Sequence, residues 1–301
     1  MWATSSNLNE IFQQSGVSDF GTLFCCNTTL RADNAVFNRV VIVNYHFFST
    51  FVLMITKAEI QLVRSLADKR NRDEQGLFVA EGSKLIDELR RSPLRVRQIY
   101  ALEGVFEGKD VQTVTPKEMG RLTMLKTANN SLAIVEQPRY KFNPATLDKN
   151  LVLALDDVQN PGNLGTIIRL ADWFGISDIV CSPTTADCFN PKVVQATMGA
   201  ILRVRVHYLD LPALLRSAKE QGVPIYGTFL DGDNLYDCNL QQRGIIVMGN
   251  EGRGISAECA ATVTDRLFIP PYPVDCNGSE SLNVAIATAV TCAEFRRQAK
   301  K

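Results

Sequence analysis

Hydrophobic positions set two rhythms along this chain. Between residues 56 and 138 short apolar runs of differing period follow one another. Ile60, Leu62, Val63, Leu66 and Ala67 recur at helical spacing, with Arg64, Lys69, Arg70, Arg72 and Asp73 beside them. Residues 76–82 predict a short strand and turn, and Ser83 is placed to cap a helix over 84–91. A strand at Val96–Ala101, a helix over 115–125 and a strand at Ser131–Glu136 complete a small α/β domain ending near Pro138. Lys141-Phe142-Asn143-Pro144 reads as a linker.

From residue 151 strand and helix alternate strictly. Leu151–Leu155 is a fully apolar strand, followed by a helix over 163–174 stopped by Gly175. Asp178–Cys181 is a strand, and Asn190-Pro191 opens a helix in cap-then-Pro order that ends at Gly199. A strand over 202–206, a helix over 211–221 and strands over 224–228 and 245–248 come next, then a terminal helix over 281–297. The early part of that helix is apolar on most faces, which predicts that it is largely buried. Continuously apolar strands alternating with helices predict an α/β fold whose parallel sheet is covered on both faces.

Residues 1–53 share neither rhythm. Their late apolar stretch, 40–55, is interrupted by Asn44, His46, Ser49 and Thr50, and is short and impure for a membrane span. It lacks the basic start and the position of a signal peptide. The expectation is that Met54 is the natural start and 1–53 lies upstream of it. A genuine extra strand or a poorly ordered tail is the alternative. The organisation predicted is therefore 1–53 unassigned, a domain at 54–138, a linker at 139–150 and a second domain at 151–301.

Composition adds little to this and excludes some classes. A length of 301 residues, 46% hydrophobic and 21% charged, is ordinary for a globular chain of one large or two smaller domains. The formal charge is zero but uneven: 54–145 carries sixteen Lys/Arg against twelve Asp/Glu, and 151–301 thirteen against sixteen. A basic first half suits a polyanion, or is ordinary surface charge. The eight cysteines form no C-x-x-C pair and read as free thiols in a reducing cytosol. The two histidines, His46 and His207, do not support a His-based triad or a zinc site.

Candidate chemistry gathers in three loops, each beginning where an apolar run ends. In the first, Asn160-Pro161-Gly162-Asn163-Leu164-Gly165, the glycines permit close approach or positive φ and Asn163 can cap the helix. Arg169, further along that helix, suits a phosphate, or pairs with Asp172 or another acid. The second, Met248 to Ser256, holds Glu251 among three glycines. Glu251 either meets a polar ligand, positions Arg169, or is a solvated loop acid. This spacing is not the dinucleotide fingerprint. In the third, Ser281 and Asn283 follow the stiff Ile269-Pro270-Pro271. They can bind an anion at a helix N-terminus, or Ser281 merely caps that helix.

Together these loops resemble the three motifs of the SpoU (TrmH-type) branch of the SPOUT RNA methyltransferases. The first matches in Asn163, Gly165 and Arg169. The second matches in Gly249, Glu251, Gly252 and Gly254, and the third in Ile269, Pro270, Ser281, Leu282 and Asn283. Asn190, Lys192, Gly199 and Ala200 also fit, and Thr197 stands where serine is common. The likeness covers about 151–298. Phe78-Val79-Ala80-Glu81-Gly82, with Leu85 and Ile86, resembles the family's amino-terminal substrate-binding domain, while 1–53 has no counterpart. The stretch Asp275-Cys276-Asn277-Gly278 lengthens the approach to Ser281.

The resemblance implies a carboxyl-terminal deep trefoil knot and a homodimer with its sites at the interface. It implies S-adenosylmethionine-dependent 2′-O-methylation of RNA in the cytoplasm, on ribosomal RNA in preference to tRNA, with no metal and no membrane. It assigns the cofactor to Thr228, Phe229, Leu230, Gly249, Asn250, Gly254, Ile269, Pro270 and Leu282. It assigns catalysis to Arg169, with Asn163, Glu251, Ser281 and Asn283 orienting it, the ribose and the phosphate. A relative that binds RNA without catalysis is the alternative. A nucleotide phosphotransferase is opposed by the missing P-loop lysine.

Overall fold

The computed structural model describes residues 55–273 and 281–299. Met54 as a start, the segment 1–53 and the insertion Asp275-Cys276-Asn277-Gly278 lie outside the described residues. The expected first helix is α1, Lys57–Ser65, opened by a reciprocal capping box in which Thr56 and Glu59 satisfy each other's backbone N–H groups. Asp68 then caps a separate helix, α2, Lys69–Gln75.

Strand β1, Leu77–Glu81, leads into helix α3, Ser83–Arg91. Ser83 does not cap it. Gly82, at φ 103°, takes the cap position and Ser83 is the first helical residue. Strand β2 is Val96–Ala101, β3 is the short, unanticipated Val111–Thr113, α4 is Pro116–Leu122 and β4 is Ser131–Glu136. The expected helix over 115–125 is shorter at both ends: Thr115 serves as its cap, with Glu118 completing a second capping box, and it stops at Thr123, whose Oγ1 donates to Glu81. The sheet order is β1-β4-β2-β3, antiparallel except for β2 and β3. Alternate residues of β1 serve opposite faces, as the two-residue period requires. Leu77 and Val79 pack with Val63, Leu66 and Met119, whereas Phe78 and Ala80 pack with Ile86 and Leu89.

The second sheet comprises β5 (Leu151–Leu155), β6 (Asp178–Cys181), β7 (Arg205–Tyr208), β8 (Ile225–Asn234), β9 (Gly244–Met248) and β10 (Asp265–Phe268). Its order is β10-β8-β9-β5-β6-β7, and every neighbouring pair is parallel. Helices α5 (Pro161–Trp173), α6 (Pro191–Ala196), α7 (Leu211–Glu220), α8 (Ala257–Ala260) and α9 (Val284–Gln298) connect or follow the strands. All of β5 and β9 is buried, so the central strands are covered on both faces. The strand expected at 202–206 begins later, because 200–202 closes a 3-10 turn first. Helix α9 is largely buried, as its composition predicts, with Phe295 packed against Tyr226, while Ile286 near its start is 53% exposed.

The two sheets share packing. Arg72, almost wholly buried, donates to Asp187 and to the carbonyls of Leu66 and Ala67. The rings of Phe78 and Phe189 lie 4.8 Å apart. Arg203 binds Glu88 of α3 and Asp172 of α5, both at 2.8 Å. Among the described residues no helix is long and apolar enough to cross a membrane.

Candidate active site

The loops that follow β5, β9 and β10 leave the same edge of the parallel sheet, where open α/β folds place ligands. In the first loop Asn160, and not Asn163, caps α5. Its Oδ1 accepts from Gly162 N at 2.8 Å and Asn163 N at 3.2 Å, with Pro161 at the first helical position. This leaves the Asn163 side chain free for other partners. Gly165 does not open room for a ligand either. A Cβ there would stand 2.5 Å from the Ala196 Cβ, so this glycine allows α5 and α6 to pack.

The second loop folds back on itself. Asn250 and Gly254 exchange backbone hydrogen bonds of 2.9 and 3.0 Å, and a Cβ on Gly249 would collide with the Gly254 backbone at 2.2 Å. Asn250 Nδ2 donates to the Asp157 carbonyl at 2.8 Å, and Arg253 pairs with the Asp157 carboxylate. Asp156 accepts from Ser256 N at 2.7 Å. The two acids that follow β5 thus clip the second loop to the first.

Among the described residues, Glu251 is bound by the first loop and not by Arg169. Its Oε1 accepts from Asn163 Nδ2 at 3.0 Å and Asn160 N at 3.1 Å, and its Oε2 from Gln159 N at 3.3 Å. Burial alone would raise its pKa. The hydrogen bonds from Asn163 and from backbone N–H groups outweigh burial and hold the carboxyl below its ordinary value.

At the third loop Asn283, rather than Ser281, caps the last helix, its Oδ1 accepting from Ala285 N at 2.9 Å and Ile286 N at 3.4 Å. Its Nδ2 therefore points outward, and it donates to Asn163 Oδ1 at 3.0 Å. An amide whose oxygen is engaged turns its NH₂ to the remaining acceptor. The result is a directed relay from Asn283 through Asn163 to Glu251, tying all three loops together.

A cavity of about 860 Å³ opens beside these loops. Thr228, Phe229 and Leu230 form one wall. Gly249, Asn250 and Gly254 form another, and Ile269, Pro270 and Leu282 a third. Glu251 and Ser281 reach its lining, whereas Asn163, Asn283 and Arg169 do not. Met248, Ile255 and Tyr272 also line it. Sequence reasoning missed them, although Met248 and Ile255 sit inside the second motif. Arg169 is exposed and, among the described residues, has no hydrogen bond or ion pair, since Asp172 is engaged by Arg203 at 2.8–3.0 Å. No group of metal-binding side chains occurs among the described residues. A shallower groove of about 540 Å³ lies on the first sheet's helices, lined by Lys57, Arg64 and Arg121 and, among the described residues, by no acid.

The model of the SpoU rRNA Methylase family matches residues 150–293, and that of the MRM3-like substrate binding domain matches 57–138. The 23S rRNA guanosine 2′-O-methyltransferase RlmP of Bacillus subtilis is 32% identical over 240 residues, covering 77% of this chain and 94% of its own. A TrmH-family protein of Porphyromonas gingivalis superposes with a TM-score of 0.74 at 39% identity, over 82% of this chain and all of that one. The AdoMet-bound rRNA methyltransferase of Sinorhizobium meliloti does so with a TM-score of 0.73 at 29% identity, over 82% of this chain and 97% of its own.

Proposed function

The chain belongs to the SpoU rRNA Methylase family, and from that premise we propose how it works. It is an RNA 2′-O-ribose methyltransferase that uses S-adenosylmethionine. The observation that carries this reading is the 860 Å³ cavity at the sheet's carboxyl edge, walled by three loops that the Asn283–Asn163–Glu251 relay holds together. Its size suits a cofactor. Leu230, Ile269 and Leu282 offer apolar walls, and the tight turn at Gly249 brings backbone close. Arg253, the one basic side chain in the lining among the described residues, is neutralised by Asp157, so a cationic ligand meets no unpaired positive charge there.

Thr228, Phe229, Leu230, Gly249, Asn250, Gly254, Ile269, Pro270 and Leu282 hold the cofactor. Bound there, S-adenosylmethionine supplies an electrophilic methyl group on a cationic sulfur. Arg169 binds the phosphate beside the target ribose. A guanidinium offers only donors and no acceptor, so it clamps the phosphate and does not take the proton. The clamped phosphate accepts the proton of the 2′-hydroxyl instead. Asn163, Glu251 and Asn283 hold the loops, and Ser281 at the lining orients the ribose, so that ribose and methyl donor stand in line, which lowers the barrier by positioning. An unpaired Arg169 on the helix that carries Asn163 of the intact relay favours this over an RNA-binding relative without catalysis.

Residues 54–138 select the RNA, 139–150 link, and 151–301 catalyse. The acid-free basic groove at Lys57, Arg64 and Arg121 favours a phosphodiester partner. Ribosomal RNA is the expected substrate, by likeness to RlmP. The carboxyl-terminal strands are threaded as a trefoil knot, an exception to ordinary topology. The enzyme is a homodimer, which exposed Leu282 and Ile286 at the head of α9 favour, and it is cytoplasmic, which five free cysteines among the described residues favour. The test is transfer of labelled methyl from S-adenosylmethionine to ribosomal RNA from cells lacking this gene. Label enters that RNA, and much less enters RNA from cells that have the gene; no incorporation overturns the reading.

A further inference from the structure

Strand β8 does not run straight past the cavity. Gly227 lies opposite Arg266 of β10, but the next β10 residue, Leu267, lies opposite Asp233. Residues 228–232 are therefore looped out while β10 continues unbroken, and Thr228, Phe229 and Leu230 reach the cavity wall. Glycines make room at both ends. A Cβ on Gly227 would stand 2.6 Å from Phe229 Cε2, and one on Gly232 would stand 2.6 Å from the Arg266 carbonyl oxygen.

The loop is gripped from outside the cavity by one side chain. The Arg266 guanidinium carbon lies 3.5 Å from the centroid of the Phe229 ring, and its Nη2 pairs with the Asp231 carboxylate of the same loop. Arg266 itself is not among the lining residues. We propose that Arg266 is a positioning residue for S-adenosylmethionine binding, holding Phe229 and Leu230 as a preformed wall. This rests on the reading of the cavity as the cofactor site. A loop without that hold samples other conformations, and affinity falls by the fraction of time the wall is absent. Arginine suits the task because its planar fork stacks on a ring and pairs with a carboxylate together. Lysine brings charge without the planar face.

The experiment is calorimetric titration of the full-length protein with S-adenosylmethionine, comparing wild type, Arg266→Met, Arg266→Lys and Leu282→Arg, beside melting curves and the KM for RNA. Arg266→Met weakens cofactor binding by about tenfold, the scale of a partly desolvated cation–ring contact. Arg266→Lys recovers only part of this, and the melting temperature and the KM for RNA stay close to wild type. Unchanged cofactor affinity in Arg266→Met overturns the inference while the cavity reading stands. So does a loss of cofactor affinity matched by a rise in the KM for RNA and a fall in melting temperature, which marks a purely structural residue. Wild type that does not bind, or Leu282→Arg that binds equally well despite a cation on the wall, overturns the cavity reading and the inference with it.

Discussion

Asn283 Nδ2 donates to Asn163 Oδ1 at 3.0 Å, joining the cap of the last helix to the first turn of a helix 120 positions earlier in the chain. Asn163 passes the contact on to Glu251. Three loops from distant parts of the sequence thus share one chain of polar contacts, and the cavity depends on their registry. Asn163→Ala removes both bonds and should cost about 1–2 kcal/mol, at roughly 1 kcal/mol for each hydrogen bond. A double-mutant cycle on Asn163 and Asn283 should give a coupling of about 0.5–1.5 kcal/mol in denaturant melts. A coupling near zero means that the relay does not hold the loops.

Arg169→Ala should lower turnover about 100-fold and leave S-adenosylmethionine affinity within about twofold, as expected for lost stabilisation of the reacting groups. Arg169 stands outside the cavity lining and has no intramolecular partner among the described residues. Single-turnover kinetics beside calorimetry separates the two effects. Equal loss of turnover and cofactor affinity contradicts the phosphate role.

The pH dependence of stability should carry a signature of Glu251. Its folded pKa lies below the ordinary 4.5, so the unfolded chain binds more protons in the acid range. The stabilisation is fully present above pH 4.5 and is lost as pH falls through the lower folded value. Denaturant melts between pH 7 and pH 3 should show this decline, and Glu251→Gln should flatten it. An identical slope in the variant contradicts the assignment.

Breaking the buried pair between Arg72 and Asp187 should be costly. Asp187→Asn leaves the Arg72 guanidinium buried beside a neutral partner, a change worth about 3 kcal/mol. Replacing both with apolar residues should recover part of the loss, although the Leu66 and Ala67 carbonyls then lose their donor. Calorimetric melting checks this, and a loss below about 1 kcal/mol for Asp187→Asn means that the pair does not fasten the two sheets together.

Much of this architecture was legible in the sequence where burial is two-sided. The run Leu151–Leu155 and the three residues after Asp178 are apolar because helices cover both faces, and Gly175 marks where α5 stops. Strand β10 was not legible, since Asp265 and Arg266 interrupt a run of only four residues at the sheet edge. The caps were misread where two candidates stood close together. Pro161 marks Asn160 as the cap, just as Pro191 marks Asn190. The three loops were legible as a composite site because their glycines and asparagines exceed what turns require. The relay was not, because periodicity reports which face a residue occupies and carries no information on which distant loop lies beside it. Arg266 was invisible for the same reason: its partner ring reaches it only through a break in strand register.

The most direct test of the central claim is the position of the transferred methyl group. Ribosomal RNA labelled by this enzyme with methyl-labelled S-adenosylmethionine should be hydrolysed in alkali and the fragments separated. A methylated 2′-oxygen cannot attack the neighbouring phosphodiester, so the account predicts label in dinucleotides that survive hydrolysis. Label in mononucleotides, on the base, would contradict it.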